Sequence, residues 1–152
     1  MSYPKSICIG CDHAAIEMKD KIITFLQKKN IQIEDVGTKD KTKSVDYPDF
    51  GICVSKSIAE KKHECGILIC GTGLGMSMVA NRFADVRAAL CNDLFSAKMS
   101  RLHNNANILV MGGRIIGDIL AEEIVQTFLD TPFEGDRHER RLAKFNNLGE
   151  SE

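Results

Sequence analysis

An α/β fold is what this chain predicts, with a parallel sheet covered by helices on both faces. Two observations carry that reading. Five short apolar runs alternate with helix-like stretches, the order expected of strands joined by covering helices. Most of the runs are continuous rather than alternating, as strands buried on both faces are. The length of 152 residues, with 43% hydrophobic and 27% charged, suits one domain with a sizeable core.

Each element follows from its residues. Ile7-Cys8-Ile9-Gly10-Cys11 reads as a short buried strand. Residues 14–29 read as an amphipathic helix, with Ile16, Ile22, Ile23 and Leu26 near helical spacing. Asn30 can stop it. Ile31 to Val36 alternates and suggests a strand closed by Gly37. Residues 38–46 are polar and read as a solvated loop. Tyr47-Pro48-Asp49 opens a helix to about Lys62, with Pro48 in the first turn. Gly66-Ile67-Leu68-Ile69-Cys70 is the clearest buried strand. Gly71-Thr72-Gly73-Leu74-Gly75 follows, and Met76 to Phe83 looks helical. Arg87 to Cys91 is a fourth strand, residues 93–102 a fourth helix, and Ile108 to Met111 a fifth strand ending at Gly112-Gly113. Residues 115–129 form a helix with Ile116, Leu120, Ile124 and Leu129 toward the core. Pro132 breaks the pattern, and residues 136–147 look like a short charged helix.

Charge and composition exclude several classes. Twenty Lys plus Arg against 21 Asp plus Glu leaves a net charge of −1. Such a chain does not bind nucleic acid through bulk charge. No apolar run approaches the ~20 residues of a membrane span, and the first residues do not resemble a signal-peptide core. A cytoplasmic protein is expected. Six cysteines are too few for a disulfide scaffold. Cys8, Cys53, Cys70 and Cys91 sit among apolar residues, where reduced buried thiols are expected.

In parallel α/β sheets, ligands bind beyond the carboxyl ends of the strands. Cys11-Asp12-His13, Cys70 to Gly75, Asn92-Asp93 and Gly112-Gly113-Arg114 all follow strands. The glycine loop lets the backbone approach a ligand and turn its N–H groups toward an anion. It is neither a dinucleotide fingerprint, whose third glycine would fall at Met76, nor a P-loop, since Gly75-Met76-Ser77 lacks the lysine. A structural tight turn is the other reading. Cys70 adjoins the loop, where a helix start favours thiolate. A plain core cysteine is its alternative.

Cys8 and Cys11 form a Cys-x-x-Cys pair, the spacing of redox and zinc motifs. On one strand, an offset of three points them to opposite faces. No second close pair completes a four-thiolate site, so no metal is expected. His13 lies at a strand-to-helix turn, where it suits catalysis, phosphate binding or simply a helix start. His103, in Arg101-Leu102-His103-Asn104-Asn105, reads as a loop histidine able to move a proton near neutral pH. His63 reads as a surface residue and His138 as part of a solvated helix face. Gly135-Asp136-Arg137-His138-Glu139-Arg140-Arg141 concentrates charge. Arg137 and Arg141 share a helix face and can grip a phosphate together, with Arg114 joining them. A solvated, ion-paired helix end is the other reading.

Taken together, Gly10-Cys11-Asp12-His13, Asp46-Tyr47-Pro48, Gly66 to Gly75, Ala80-Asn81, Ser100 to Asn104 and Gly135 to Arg141 resemble ribose-5-phosphate isomerase type B. That family is shared with galactose-6-phosphate isomerase subunits. The likeness runs from about residue 6 to 147. It implies a three-layer Rossmann-like fold with a five-stranded parallel sheet. It implies one domain over residues 1–152, whose final helix at about 136–147 contributes to a homodimer, in some relatives paired into a homotetramer. The implied reaction is aldose–ketose isomerisation of ribose 5-phosphate and ribulose 5-phosphate through a cis-enediolate, without metal or nucleotide cofactor. Sites form between subunits.

The resemblance also implies roles. Cys70 is the base and His103 the proton donor. Gly71, Thr72, Gly73, Leu74 and Gly75 hold the oxyanion. Asp12 and His13 bind sugar hydroxyls or the ring oxygen, Asn104 contacts substrate, and Arg114, Arg137 and Arg141 hold the phosphate. Some relatives use a glutamate just after the glycine loop instead. That position is Met76 here, which favours Cys70. A six-carbon substrate such as allose 6-phosphate or galactose 6-phosphate is the alternative. A non-catalytic phosphosugar-binding domain and a flavodoxin-like cofactor module are more distant ones.

Overall fold

The computed structural model describes residues 3–146 and 148. The elements run β1 (Ser6–Cys11), α1 (Ile16–Gln27), β2 (Gln32–Asp35), α2 (Tyr47–Ala59), β3 (Cys65–Cys70), α3 (Leu74–Ala80), β4 (Ala88–Leu90), α4 (Leu94–Leu102), β5 (Ile108–Gly112), α5 (Asp118–Asp130) and α6 (Arg137–Leu142). The strands form one sheet of order β2-β1-β3-β5-β4. Every pairing in it is parallel.

The side-chain alternation of β1, β3 and β5 divides the core in two. Ile7, Ile9, Ile67, Ile69, Leu109 and Met111 pack with the buried faces of α1, α4 and α5. Cys8, Leu68, Cys70, Ile108 and Val110 pack with α2 and α3. This is the three-layer arrangement expected. Cys8 and Cys11 fall in different clusters, on opposite faces as their spacing requires. Among the described residues, no helix is long and apolar enough to cross a membrane.

Several boundaries differ from the sequence reading, each for a local reason. The helix expected at 14–29 starts at Ile16, because the Asp12 carboxylate captures the Ala14 N–H at 3.0 Å and holds a turn there. The helix expected from Met76 begins at Leu74, so the glycine loop is three residues long before the helix takes over. The helix expected at 115–129 starts at Asp118, since the Ile115 and Ile116 amides both turn back to the Gly112 carbonyl. The final helix is only Arg137–Leu142, and Asn147, the end expected for it, lies outside the described residues. Cys53 is exposed rather than buried. Lys19, which carries no special role in the pattern, is buried and ion-paired to Asp35 at 2.7 Å.

The chain steps from β1 outward to β2, then back past β1 to β3. That reversal makes the gap between β1 and β3 a topological switch point, where loops leave the sheet in opposite directions and a crevice opens.

Candidate active site

The loops after β1, β3 and β5 meet at the carboxyl edge of the sheet. After β1, the Asp12 amide donates to the Ile69 carbonyl at 3.3 Å, which holds Asp12 against the end of β3. His13 accepts the Val45 N–H on Nδ1 at 3.2 Å. With Nδ1 occupied as acceptor, the proton of the neutral ring sits on Nε2.

Cys70 is the last residue of β3 and 5% exposed. The Gly73 N–H points at its sulfur at 3.1 Å, the polarity an anionic sulfur needs. Glycine is required there for two reasons. Its φ is +80°, a conformation other residues rarely adopt, and a Cβ would lie 2.4 Å from Leu90. Gly75 lets the Tyr47 ring pack close against the loop, since a Cβ would meet that ring at 2.4 Å. The Asp46-Tyr47-Pro48 segment thus buttresses the loop, a role its sequence did not reveal. Thr72 is exposed and its hydroxyl accepts the Leu74 N–H at 3.3 Å.

The end of β5 closes the cradle. The Gly113 amide donates to the Cys70 carbonyl at 2.8 Å, and the Arg114 amide to the Gly71 carbonyl at 3.0 Å. The Arg114 side chain lies over Gly71, where a Cβ would be 3.5 Å from its Cδ. Asp12, His13, Gly71, Thr72, Gly73, Leu74, Gly75 and Arg114 therefore share one edge with Cys70. Burial pushes the Cys8, Cys11 and Cys65 thiols up to about 12, which keeps them protonated at neutral pH.

The remaining expected residues lie elsewhere. Asn92, just before α4, accepts the Gly112 N–H at 3.3 Å at the carboxyl edge. From there α4 runs antiparallel to the strands for nine residues, about 13 Å at 1.5 Å per residue. His103 caps its far end. The neighbouring chain is stitched to the start of the strands, where the Asn107 carbonyl accepts the Gly66 N–H at 2.9 Å. His103 and Asn104 are thus at the amino edge, not beside Cys70.

Arg137 and Arg141 are there too. The Glu134 amide donates to the Leu102 carbonyl at 3.0 Å, which brings the segment before α6 onto the end of α4. Within one chain Arg114 is consequently separated from Arg137 and Arg141, at opposite edges of the sheet. His138 is not on a solvated face. It is 4% exposed and stacks on His103 with ring centroids 4.2 Å apart and an interplanar angle of 11°. Glu134 lies 3.1 Å from His138 Nε2 and 3.8 Å from His103 Nε2. Arg137 Nε is 3.3 Å from His138 Nε2. Sequence reasoning missed Glu134 and His138, although their four-residue spacing carried a faint signal.

Comparison with known proteins identifies the family. The ribose/galactose isomerase family profile matches residues 7–145. A ribose 5-phosphate isomerase of Thermotoga maritima superposes with a TM-score of 0.91 at 52% identity, covering 94% of this chain and 98% of that one. The chain is 40% identical to ribose-5-phosphate isomerase B of Escherichia coli, over 91% of this chain and 92% of the relative. It is also 43% identical to D-erythrulose-4-phosphate isomerase of Pectobacterium atrosepticum, over 91% of each.

Proposed function

Because this chain belongs to the ribose/galactose isomerase family and is a sugar-phosphate isomerase, we propose that it interconverts ribose 5-phosphate and ribulose 5-phosphate with Cys70 as the base. The proton on C2 of the aldose is weakly acidic. The Cys70 thiolate takes it, leaving a cis-enediolate, and returns it to C1 to give the ketose. Negative charge develops on the oxygen as the proton leaves, and backbone N–H groups of Gly71 to Gly75, with Thr72, offset it. His103 donates the proton that opens the sugar ring. Asp12 and His13 hold hydroxyls or the ring oxygen, Asn104 contacts the substrate, and Arg114, Arg137 and Arg141 hold the phosphate. This chemistry calls on no metal or nucleotide.

The observation that carries the reading is the Gly73 N–H on the Cys70 sulfur at 3.1 Å, beside a switch-point crevice. The separation of the two clusters completes it. A substrate spanning Cys70 and His103 needs a second copy whose amino edge lies over the first copy's carboxyl edge. Apolar side chains stand ready there. Leu74, Met78, Leu94, Phe95, Ile115 and Ile119 are all exposed, and all sit on the segments that leave the carboxyl edge. In a two-fold dimer each copy serves the other, and pairs of dimers make a homotetramer. The protein is read as one cytoplasmic domain over residues 1–152.

Sugar length is the second reading, because a relative of similar identity is named for a four-carbon substrate. A coupled assay with ribose 5-phosphate, erythrulose 4-phosphate, allose 6-phosphate and galactose 6-phosphate tests both. The highest kcat/KM is expected for ribose 5-phosphate, with exchange of its C2 proton into solvent. A higher value for another sugar overturns the substrate assignment. Binding without exchange overturns the chemistry.

A further inference from the structure

A second cluster of reactive side chains lies outside the machinery just described. Cys8 on β1 is in register with Glu34 on β2, so both side chains leave the sheet on the same face. That face is the one covered by α2. The turn between α2 and β3 brings His63 to the same place. Its Nε2 is 3.2 Å from Glu34 Oε2. The Cys8 sulfur, a Glu34 oxygen and a His63 nitrogen all lie within 4.8 Å of one another. His63 is thus no surface residue, its side chain being 14% exposed.

We propose that Cys8, Glu34 and His63 bind a divalent transition metal ion of the zinc class. One sulfur, one nitrogen and one oxygen are the donors zinc prefers, at bond lengths of about 2.0–2.3 Å. Tetrahedral donors held at those lengths stand about 3.3–3.8 Å apart. The His63–Glu34 separation is close to that, and the sulfur reaches it with a shift of about 1 Å.

The surroundings are those of a metal ligand. Ser57 Oγ is 2.6 Å from His63 Nδ1. With Nδ1–H donating to that hydroxyl, the Nε2 lone pair is left facing Glu34 and Cys8. A hydrogen-bonded second nitrogen of this kind fixes the tautomer and ring angle of metal-bound histidines. Cys8 is fully buried and Ser57 nearly so, while the Glu34 side chain is 56% exposed. The fourth tetrahedral position opens on that solvent side and takes water.

Binding replaces the thiol proton with the metal. The sulfur–hydrogen bond breaks, a sulfur–metal bond forms, and the proton goes to solvent. The ion thus competes with the thiol proton for the sulfur. Affinity therefore falls as pH is lowered. The ion would tie together β1, β2 and the α2–β3 turn. β1 and β2 are already paired in the sheet, so the new tie is the one from them to the α2–β3 turn.

The test uses the full-length protein, stripped with a chelator and titrated with Co²⁺ and then with Zn²⁺. The expected result is one ion per chain at this site, a thiolate-to-cobalt absorption band, and a thermal midpoint raised by Zn²⁺. Cys8→Ser and His63→Gln should abolish the band and the thermal shift, and Ser57→Ala should weaken binding about 10-fold. Cys11→Ser keeps both signals. Folding of each variant is checked by circular dichroism, and Cys8→Ser should retain metal-free turnover. Absence of the thiolate band in the wild type overturns the site. So does Cys8→Ser binding as tightly as wild type. Binding lost in His138→Ala but kept in Cys8→Ser also overturns it, because the ion then belongs to the His103–Glu134–His138 group, whose ligand atoms are similarly close.

Discussion

In the proposed mechanism the two edges of the sheet carry complementary halves of one chemistry. The carboxyl edge holds a sulfur, a glycine cradle and one arginine, fixed by backbone hydrogen bonds among Cys70, Gly71, Gly73, Gly113 and Arg114. The amino edge holds two stacked imidazoles, a carboxylate and two arginines, fixed by side-chain contacts on a six-residue helix. The first half is held by main-chain groups at the ends of the strands. The second is built from the last turn of α4, the segment before α6 and α6 itself. The comparison teaches that an α/β chain can hold its reactive groups at opposite edges of one sheet, too far apart to serve one small substrate within a single copy.

The largest effect should come from the carboxyl edge. Cys70→Ala should lower kcat by about 10²–10⁴, the worth of a positioned proton-transfer group, with phosphosugar binding retained. Normal turnover would remove the base and leave the cradle as a binding loop. The amino edge should respond differently. Arg137→Ala should raise KM about 10- to 100-fold, as expected on losing a charge-assisted hydrogen bond, while kcat changes little. An unchanged KM would take Arg137 out of the site, and the division of labour between the edges would fail with it.

A smaller effect separates two thiols on the same edge. Cys11 ends β1 as Cys70 ends β3, but Cys11 faces the α1 side of the sheet and has no cradle. Burial raises it from 9.0 to about 12, with Lys19 opposing. The unfolded thiol therefore ionises first. Its contribution to stability is complete below about pH 9 and is lost as pH rises toward 12. Over that window each such thiol steepens the fall by at most about 1.4 kcal/mol per pH unit. Urea unfolding at a series of pH values should show Cys11→Ala with a shallower alkaline decline. An identical slope would mean that the thiol does not stay protonated in the fold.

The fold and the carboxyl edge were legible because both depend on local pattern. Continuous apolar runs mark buried strands, and residues following such strands share an edge whatever the topology. Gly73 needed only its glycine neighbours to be noticed. The amino edge was less legible. His138 sits in a helix too short to show periodicity, and its burial comes from His103, 35 positions earlier in the chain. His63 looked superficial among charged neighbours, yet the register of β1 with β2 places Cys8 and Glu34 beneath it. The distance between Cys70 and His103 was implicit in the alternation itself. A helix returning from a carboxyl edge must end at the amino edge, so a residue at its far cap cannot share the loop after a strand.

That inference makes the sharing of sites between copies the central claim, and subunit mixing tests it most directly. Cys70→Ala and His103→Ala proteins should each be nearly inactive, and equal amounts are unfolded and refolded together. If Cys70 of one copy works with His103 of the other, each mixed dimer has one intact site. Random pairing in a two-fold dimer then restores about one quarter of wild-type activity. No recovery, with mixed dimers shown to form, would mean that each copy must supply both groups itself, and the account would be wrong.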